Sequence, residues 1–214
     1  VLYNKEIFDY FDVPHPEDGM TWDEVIELSK KVTGKRGDQT VLGFVLGNYY
    51  DLLSQMSASL IDPNGRAAVN TEGWSRAAHI LKGLYAENPG NIPVGDKNNI
   101  LYYYTSNFFT DQNIAMDTTL DLLSSFRTND FEWDIFSYPV FPEYPDTGPF
   151  INTTQAAVHA NSTMQEAALA VVNYLISEEH SIDIAEHGII PGIITNEVHR
   201  PGTRGPVRPA GELG

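Results

Sequence analysis

The segment Asn48-Tyr49-Tyr50-Asp51 sets two aromatic plates between an amide and a carboxylate, a group suited to holding a neutral polyhydroxylated ligand. A sugar presents hydroxyls around its rim and C–H groups on its faces, so planar hydrogen-bonding side chains beside aromatic rings match both surfaces. The segment follows a short apolar run, Val41 to Leu46, that reads as a buried parallel strand bounded by Gly47 and Asn48. Ligands of open α/β sheets bind outside the carboxyl ends of strands, and this strand-to-helix corner is such a place. The same two tyrosines also suit ordinary packing, and both readings stay open at this point. Paired carboxylates can be drawn from Asp117, Asp121, Asp130 and Glu132, which makes a carbohydrate-active enzyme the alternative reading. With 29 acidic residues such pairs arise by chance. His180, Asp183 and His187 fall three and four apart on one helical face, beside Glu179 and Glu186, as ligands of a divalent ion would. A solvated charged face accounts for them more simply, and no metal or cofactor is assigned. The chain has no nucleophile elbow, phosphate-cradling glycine loop or HExxH motif, so it is read as non-catalytic.

The composition narrows the partners. The 214 residues carry 29 Asp and Glu against 13 Lys and Arg, a net charge of -16, which disfavours nucleic acid and acidic membrane surfaces alike. A hydrophobic share of 42%, with aromatics spread along the chain, is that of a globular protein with an ordinary core. The absence of Cys excludes disulfides, thiolate metal sites and Cys nucleophiles. No apolar run reaches the ~18 residues of a membrane span, and no signal peptide is visible.

The elements that must position the site alternate between helix and strand. Thr21 to Val32 reads as an amphipathic helix opened by a Thr21/Glu24 capping box, with Trp22 as a packing residue. Helical spacing also runs from Tyr50 to Leu60 and from Glu72 to Ala86, the latter with Trp74, Ala77, Ala78, Leu81, Leu84 and Tyr85 on its buried stripe. Asp62-Pro63-Asn64-Gly65 between them is a turn. Asn99 to Phe109 fits helix or strand, Ile114 to Met116 a strand, Leu120 to Phe126 a short helix and Trp133 to Pro139 a half-buried strand. Pro139, Pro142, Pro145 and Pro149 make a stiff connector. Thr154 to Ala160 is read as a strand, then Ser162 and Gln165 as a second capping box opening a long helix. Its apolar face runs from Ala167 to Ile176, and Ile182 to Glu186 extends or restarts it. This order argues for an α/β architecture with a mixed, mostly parallel sheet flanked by helices.

Five segments in order resemble one family. Tyr3-Asn4-Lys5-Glu6-Ile7-Phe8 matches a Y-N-K-(D/E)-x-F pattern and Thr21-Trp22-Asp23-Glu24 a T-W-D-E pattern. Asn107 to Met116 is similar to a phenylalanine, a short turn and G-K-A-A-M; Phe131 to Val140 resembles a strand ending in proline. Ser162 to Tyr174 and Gly188-Ile189-Ile190-Pro191 resemble an S-x-x-x-E-A-A helix and a closing G-x-x-P. These are features of the extracellular solute-binding proteins of bacterial ABC importers, family 1, of the sugar and oligosaccharide type.

The resemblance implies a periplasmic-binding-protein-like (type II) fold present as a fragment, lacking most of the first lobe and the C-terminal end. Residues 1–150 would be the second lobe and 151–193 a return segment of the first, with hinge crossings near 1–4, 150–153 and 188–193. Residues 194–214, rich in Arg, Pro and Gly, read as a flexible tail or scar. It also implies capture of a sugar or oligosaccharide in an inter-lobe cleft, delivery to the membrane permease of an ABC transporter, and a parent that is a cell-surface lipoprotein or periplasmic. Where the family often follows the Ala-Met strand with Gly and Trp, this chain has Asp117-Thr118-Thr119, so hydrogen bonding would replace ring stacking there. Asn152 and Thr153, just past the second crossing, would add a hydroxyl contact and hinge flexibility. A lone second lobe would expose its cleft face, and self-association through it is expected.

Overall fold

The computed structural model describes residues 1–91, 108–118, 131–150 and 155–186. The chain divides into two compact units, residues 1–120 with 130–150, and residues 121–129 with 151–214. The expectations for 99–107, 120–126, Thr119, Asn152, Thr153, His187, Gly188 to Pro191 and the tail lie outside the described residues.

The first unit is built around its opening residues. Strand β1 (Leu2–Asn4) is central, antiparallel to β4 (Met116–Asp117) on one side and to β5 (Trp133–Ile135) on the other. All three β1 residues are buried, as a strand covered on both faces requires. Asn4 ends β1 and caps α1 (Lys5–Tyr10), its side-chain oxygen accepting from the Ile7 N–H at 3.2 Å. Beyond β4, Leu42 and Val45 run parallel to Ile114 and Asp117, so the sheet is mixed.

The predicted strand Val41 to Leu46 is divided between two partners. Val41 closes the hairpin of β2 (Gly34–Arg36) with β3 (Gln39–Val41), and Leu42 onward joins the β4 side. Between the two bridges Phe44 turns its backbone to a side chain: its N–H donates to Asn91 Oδ1 at 3.1 Å, and its carbonyl accepts from Asn91 Nδ2 at 2.8 Å. Asn91 thus completes the strand where no neighbouring strand among the described residues does.

Helix α2 (Trp22–Val32) has the expected capping box, Thr21 Oγ1 accepting from Glu24 N–H while the Glu24 carboxylate accepts from Thr21 N–H at 2.7 Å. Trp22, Val25, Ile26, Leu28 and Val32 are buried in the core of this unit. Helix α3 (Tyr50–Gln55) is shorter than its apolar spacing suggests. Ser57 adopts φ 51°, and the Ala58 N–H donates back to the Leu53 carbonyl at 2.8 Å, a left-handed closure that ends the helix. Asp62 Oδ1 accepts from Asn64 and Arg66 N–H to form the next turn, with Gly65 at φ 76°. Helix α4 (Glu72–Leu81) passes into a π-helical turn, Lys82–Ala86, rather than continuing unchanged. Ala77, Ile80, Gly83 and Leu84 form its buried face, so Ile80 replaces the predicted Ala78, which is exposed. The proline connector is held rather than free: Val140 pairs parallel with Thr21, and Phe141 bridges Tyr144.

The second unit departs further from expectation. Residues 155–160 form no strand; they are mostly exposed, with no ladder partner among the described residues, and a strand exists only with one. The Ser162/Gln165 capping box also does not form. Helix α5 (Gln165–Leu175) starts after Met164, Ser162 Oγ accepts from Met164 N–H, and Gln165 reaches back to the Ala160 carbonyl at 2.7 Å. Helix α6 (Glu178–Glu186) restarts after a break. The apolar face of α5 is exposed, Val171 at 59% and Leu175 at 44%.

Candidate functional site

The sequence pattern sends α3 out of the sheet at Gly47, and the structure joins that corner to the end of β4. The Gly47 N–H donates to Thr118 Oγ1 at 2.8 Å, and the Val45 N–H and carbonyl bond Met116 O and Thr118 N. Asn48 to Asp51 and Asp117 to Thr118, some 70 residues apart in sequence, therefore meet at the carboxyl ends of two parallel-running segments.

Their roles differ. Asn48 Oδ1 accepts from Tyr50 N–H at 2.9 Å and its carbonyl from Asp51 N–H at 3.2 Å, an Asx-type turn that launches α3. The Tyr49 and Tyr50 rings stack at 4.3 Å and 28° and are 40% and 44% exposed, so they offer one aromatic surface to solvent. The hydrogen bond between their hydroxyls raises the Tyr49 phenol above its ordinary range. Burial pushes the Asp51 carboxyl up. Asp117 is 1% exposed and faces inward. Burial raises the Tyr85 phenol, a bond from the Leu46 N–H opposes this, and the Asp117 carboxylate adds to the rise. Thr118 is half-buried, with its hydroxyl oxygen on Gly47. Thr119, Asn152 and Thr153 lie outside the described residues.

Beneath α3 is a polar clamp. Gln55 accepts from Trp22 Nε1–H at 3.0 Å and donates to the Pro139 and Thr147 carbonyls, both at 2.9 Å. Ser54 Oγ donates to the Asp51 carbonyl and accepts from Phe150 N–H, each at 2.8 Å. The connector is thereby fixed along the helix that carries the aromatic pair. Trp22 is 1% exposed and serves as scaffold.

The family pattern described as bacterial extracellular solute-binding protein matches residues 1–181 of this chain. The chain belongs to that family. A search of curated proteins gives no match. Among solved structures, the ABC substrate-binding protein Lmo0181 from Listeria monocytogenes in complex with cycloalternan is 20% identical. It aligns with a TM-score of 0.66 over 94% of this chain and 52% of its own. A sugar transporter from Rhizobium etli in an open conformation is 21% identical with a TM-score of 0.59, over 94% and 54%. A solute-binding protein from Agrobacterium radiobacter K84 in complex with ribitol is 20% identical with a TM-score of 0.59, over 94% and 52%. The chain spans about half the length of these structures, and the likeness shows a periplasmic-binding-protein-like fold.

Within this solute-binding protein, sequence reading missed Gln55 and Ser54. Gln55 falls on the helical spacing of a core residue and carried no motif. Its signal was physical: a polar residue on a buried face must find partners, and Trp22 supplies an indole N–H that needs an acceptor. Tyr138 sits edge-on to Trp22, with ring centroids 5.4 Å apart.

Proposed function

We propose that this chain is the ligand-bearing second lobe of a non-catalytic receptor that captures a sugar or polyol and presents it to an ABC-transporter permease outside the cell. The observation that supports the reading best is the convergence of Asn48 to Asp51 with Thr118 at the end of adjacent parallel-running segments, tied by the Gly47–Thr118 bond. The stacked Tyr49–Tyr50 surface suits the C–H face of a sugar, and Asn48, Asp51 and Thr118 suit its hydroxyls. Asp117, assigned with Thr118 to hydrogen-bond the ligand, lies buried at the end of β4. Thr119, Asn152 and Thr153 are assigned to the same cleft on the family pattern alone. Similar proteins were solved with cycloalternan and with ribitol, ligands of this chemistry. A carbohydrate-active enzyme finds no support in the comparisons.

In this reading residues 1–150 form one lobe and 151–193 return to the other, with crossings near 1–4, 150–153 and 188–193. Ligand bound between the lobes favours a closed arrangement, and the closed form is what the permease meets. A panel of sugars and polyols tested by thermal shift and product analysis decides the matter. A ligand present at 100 times its Kd adds about 2.7 kcal/mol, a rise of several degrees for a domain of this size. The expected result is such a rise with the carbohydrate recovered unchanged. Turnover of any panel member rejects the proposal.

A further inference from the structure

The stretch that leads out of the first unit is held by one helix. From Pro142 to Gly148, and again at Phe150, every residue is exposed, Phe150 at 71%, so side-chain packing does not fix the course of this strap. Its near end is tied to α4 by the Arg76–Glu143 ion pair at 3.2 Å. Its far end is tied to α3: Gln55 Nε2 donates to the Thr147 carbonyl at 2.9 Å, and Ser54 Oγ accepts from the Phe150 N–H at 2.8 Å. Phe150 is the last residue of the first unit, and residues from 151 onward belong to the second. The Ser54 hydroxyl also donates to the Asp51 carbonyl at 2.8 Å. That back-bond within a helix is a common local habit of serine. The bond from a backbone 96 positions away is not local. One hydroxyl thus stands between the main chain of Asp51, in the first turn of α3, and the main chain at the exit from the unit. At 1.5 Å per residue the helix Tyr50–Gln55 is only about 9 Å long, and Leu52 and Leu53 bury it in the core, so its two ends shift together. The Tyr49–Tyr50 pair sits at one end and the strap bonds at the other.

We propose that Ser54 is a positioning residue that couples ligand occupancy at the head of α3 to the point where the chain leaves the first unit, through the Phe150 N–H. A sugar or polyol that holds Asn48 to Asp51 holds α3, and α3 holds the strap. By linkage, a fastened strap favours the ligand-holding position of the helix in equal measure. The inference rests on the proposed function and adds to it a route by which an occupied corner acts on the exit of the chain.

The test is hydrogen exchange at single amides, read by NMR in the full chain, for wild type, Ser54→Ala and Ser54→Thr, with ribitol, mannitol and maltose as probes. Alanine removes the hydroxyl and favours helix, so α3 is kept; threonine retains the hydroxyl. Without probe, the Phe150 amide of Ser54→Ala is expected to exchange about fivefold or more faster than that of wild type or Ser54→Thr. With a probe that binds, the Phe150 amide is expected to slow about threefold or more in wild type and Ser54→Thr. In Ser54→Ala the probe should slow the amides of α3 and leave Phe150 unchanged. Equal probe-free exchange at Phe150 in wild type and Ser54→Ala means that the hydroxyl does not hold the strap, and overturns the inference. A bound probe that leaves Phe150 unchanged in wild type, or slows it equally in Ser54→Ala, overturns it too. All three results leave the proposed function in place. Failure of wild type to respond to any of the three probes overturns both.

Discussion

Asn91 is the residue on which the geometry of the site corner turns. It is fully buried, and its amide makes three bonds to backbone: it accepts from Phe44 N–H at 3.1 Å and donates to the carbonyls of Phe44 and Leu84 at 2.8 and 2.9 Å. Asn91→Ala leaves those three groups unpaired in the interior. At about 1–1.5 kcal/mol for each, the expected loss is about 3–4.5 kcal/mol, against a total stability of roughly 5–15 kcal/mol. For a domain of this size that is a fall in Tm of roughly 6–18 °C. Urea unfolding followed by tryptophan fluorescence is the assay, since Trp22, Trp74 and Trp133 all lie in the first unit and report on it alone. Asn91→Asp separates the bonds. It keeps the acceptor for Phe44 N–H but turns a carboxylate toward two carbonyl oxygens, so the introduced carboxyl titrates higher folded than unfolded. The native state then binds more protons than the unfolded one, and stability falls as pH rises. The deficit of Asn91→Asp against wild type should therefore be smaller at pH 4 than at pH 8. A loss below about 1 kcal/mol for Asn91→Ala would refute the claim that this amide completes the strand.

Ser57→Gly removes a side chain from a left-handed position that ends α3 and is expected to stabilise by about 1 kcal/mol, seen as a Tm rise of roughly 2–4 °C. Gly43→Ala drives a methyl group into the Ser29 carbonyl oxygen and the Thr33 hydroxyl, and should cost about 3 kcal/mol or more in chemical denaturation. Burial raises the Asp51 carboxyl in the folded state, so the native protein binds more protons just above pH 3.8 and the stability contributed by this group falls as pH rises. Asp51→Asn should thus be at least as heat-stable as wild type at pH 7, the difference closing toward pH 3; a variant less stable than wild type at pH 7 would contradict the assignment.

The parts of the molecule legible in the sequence were those fixed by local chemistry. Thr21 and Glu24 form their capping box because both partners lie within one turn, and the Asp62 to Gly65 turn follows from an Asx side chain and a glycine in sequence. Elements that depend on a distant partner were less legible. The 155–160 stretch has strand-like residues but no ladder beside it among the described residues, whereas the run after Val41 is buried and parallel as expected, its partners, Ile114, Asp117 and the Asn91 side chain, being what the sequence alone does not name. The site followed the same division. Asn48 to Asp51 could be read from one corner, whereas the Gly47–Thr118 tie exists only in three dimensions.

What distinguishes scaffold from site here is where each aromatic residue satisfies its polar atom. Trp22 and Tyr138 stand against each other at 5.4 Å, so packing alone does not separate them. The Trp22 indole N–H has its acceptor in Gln55, inside the protein, and nothing is left for a ligand to complete. The Tyr138 hydroxyl, in the same neighbourhood, has no partner among the described residues. Tyr49 and Tyr50 satisfy each other at the surface and leave a ring face open. Exposure thus separates Trp22, closed in the core, from the tyrosine pair, whose stacked rings reach the surface. The residues of that pair are those whose removal should cost binding rather than stability.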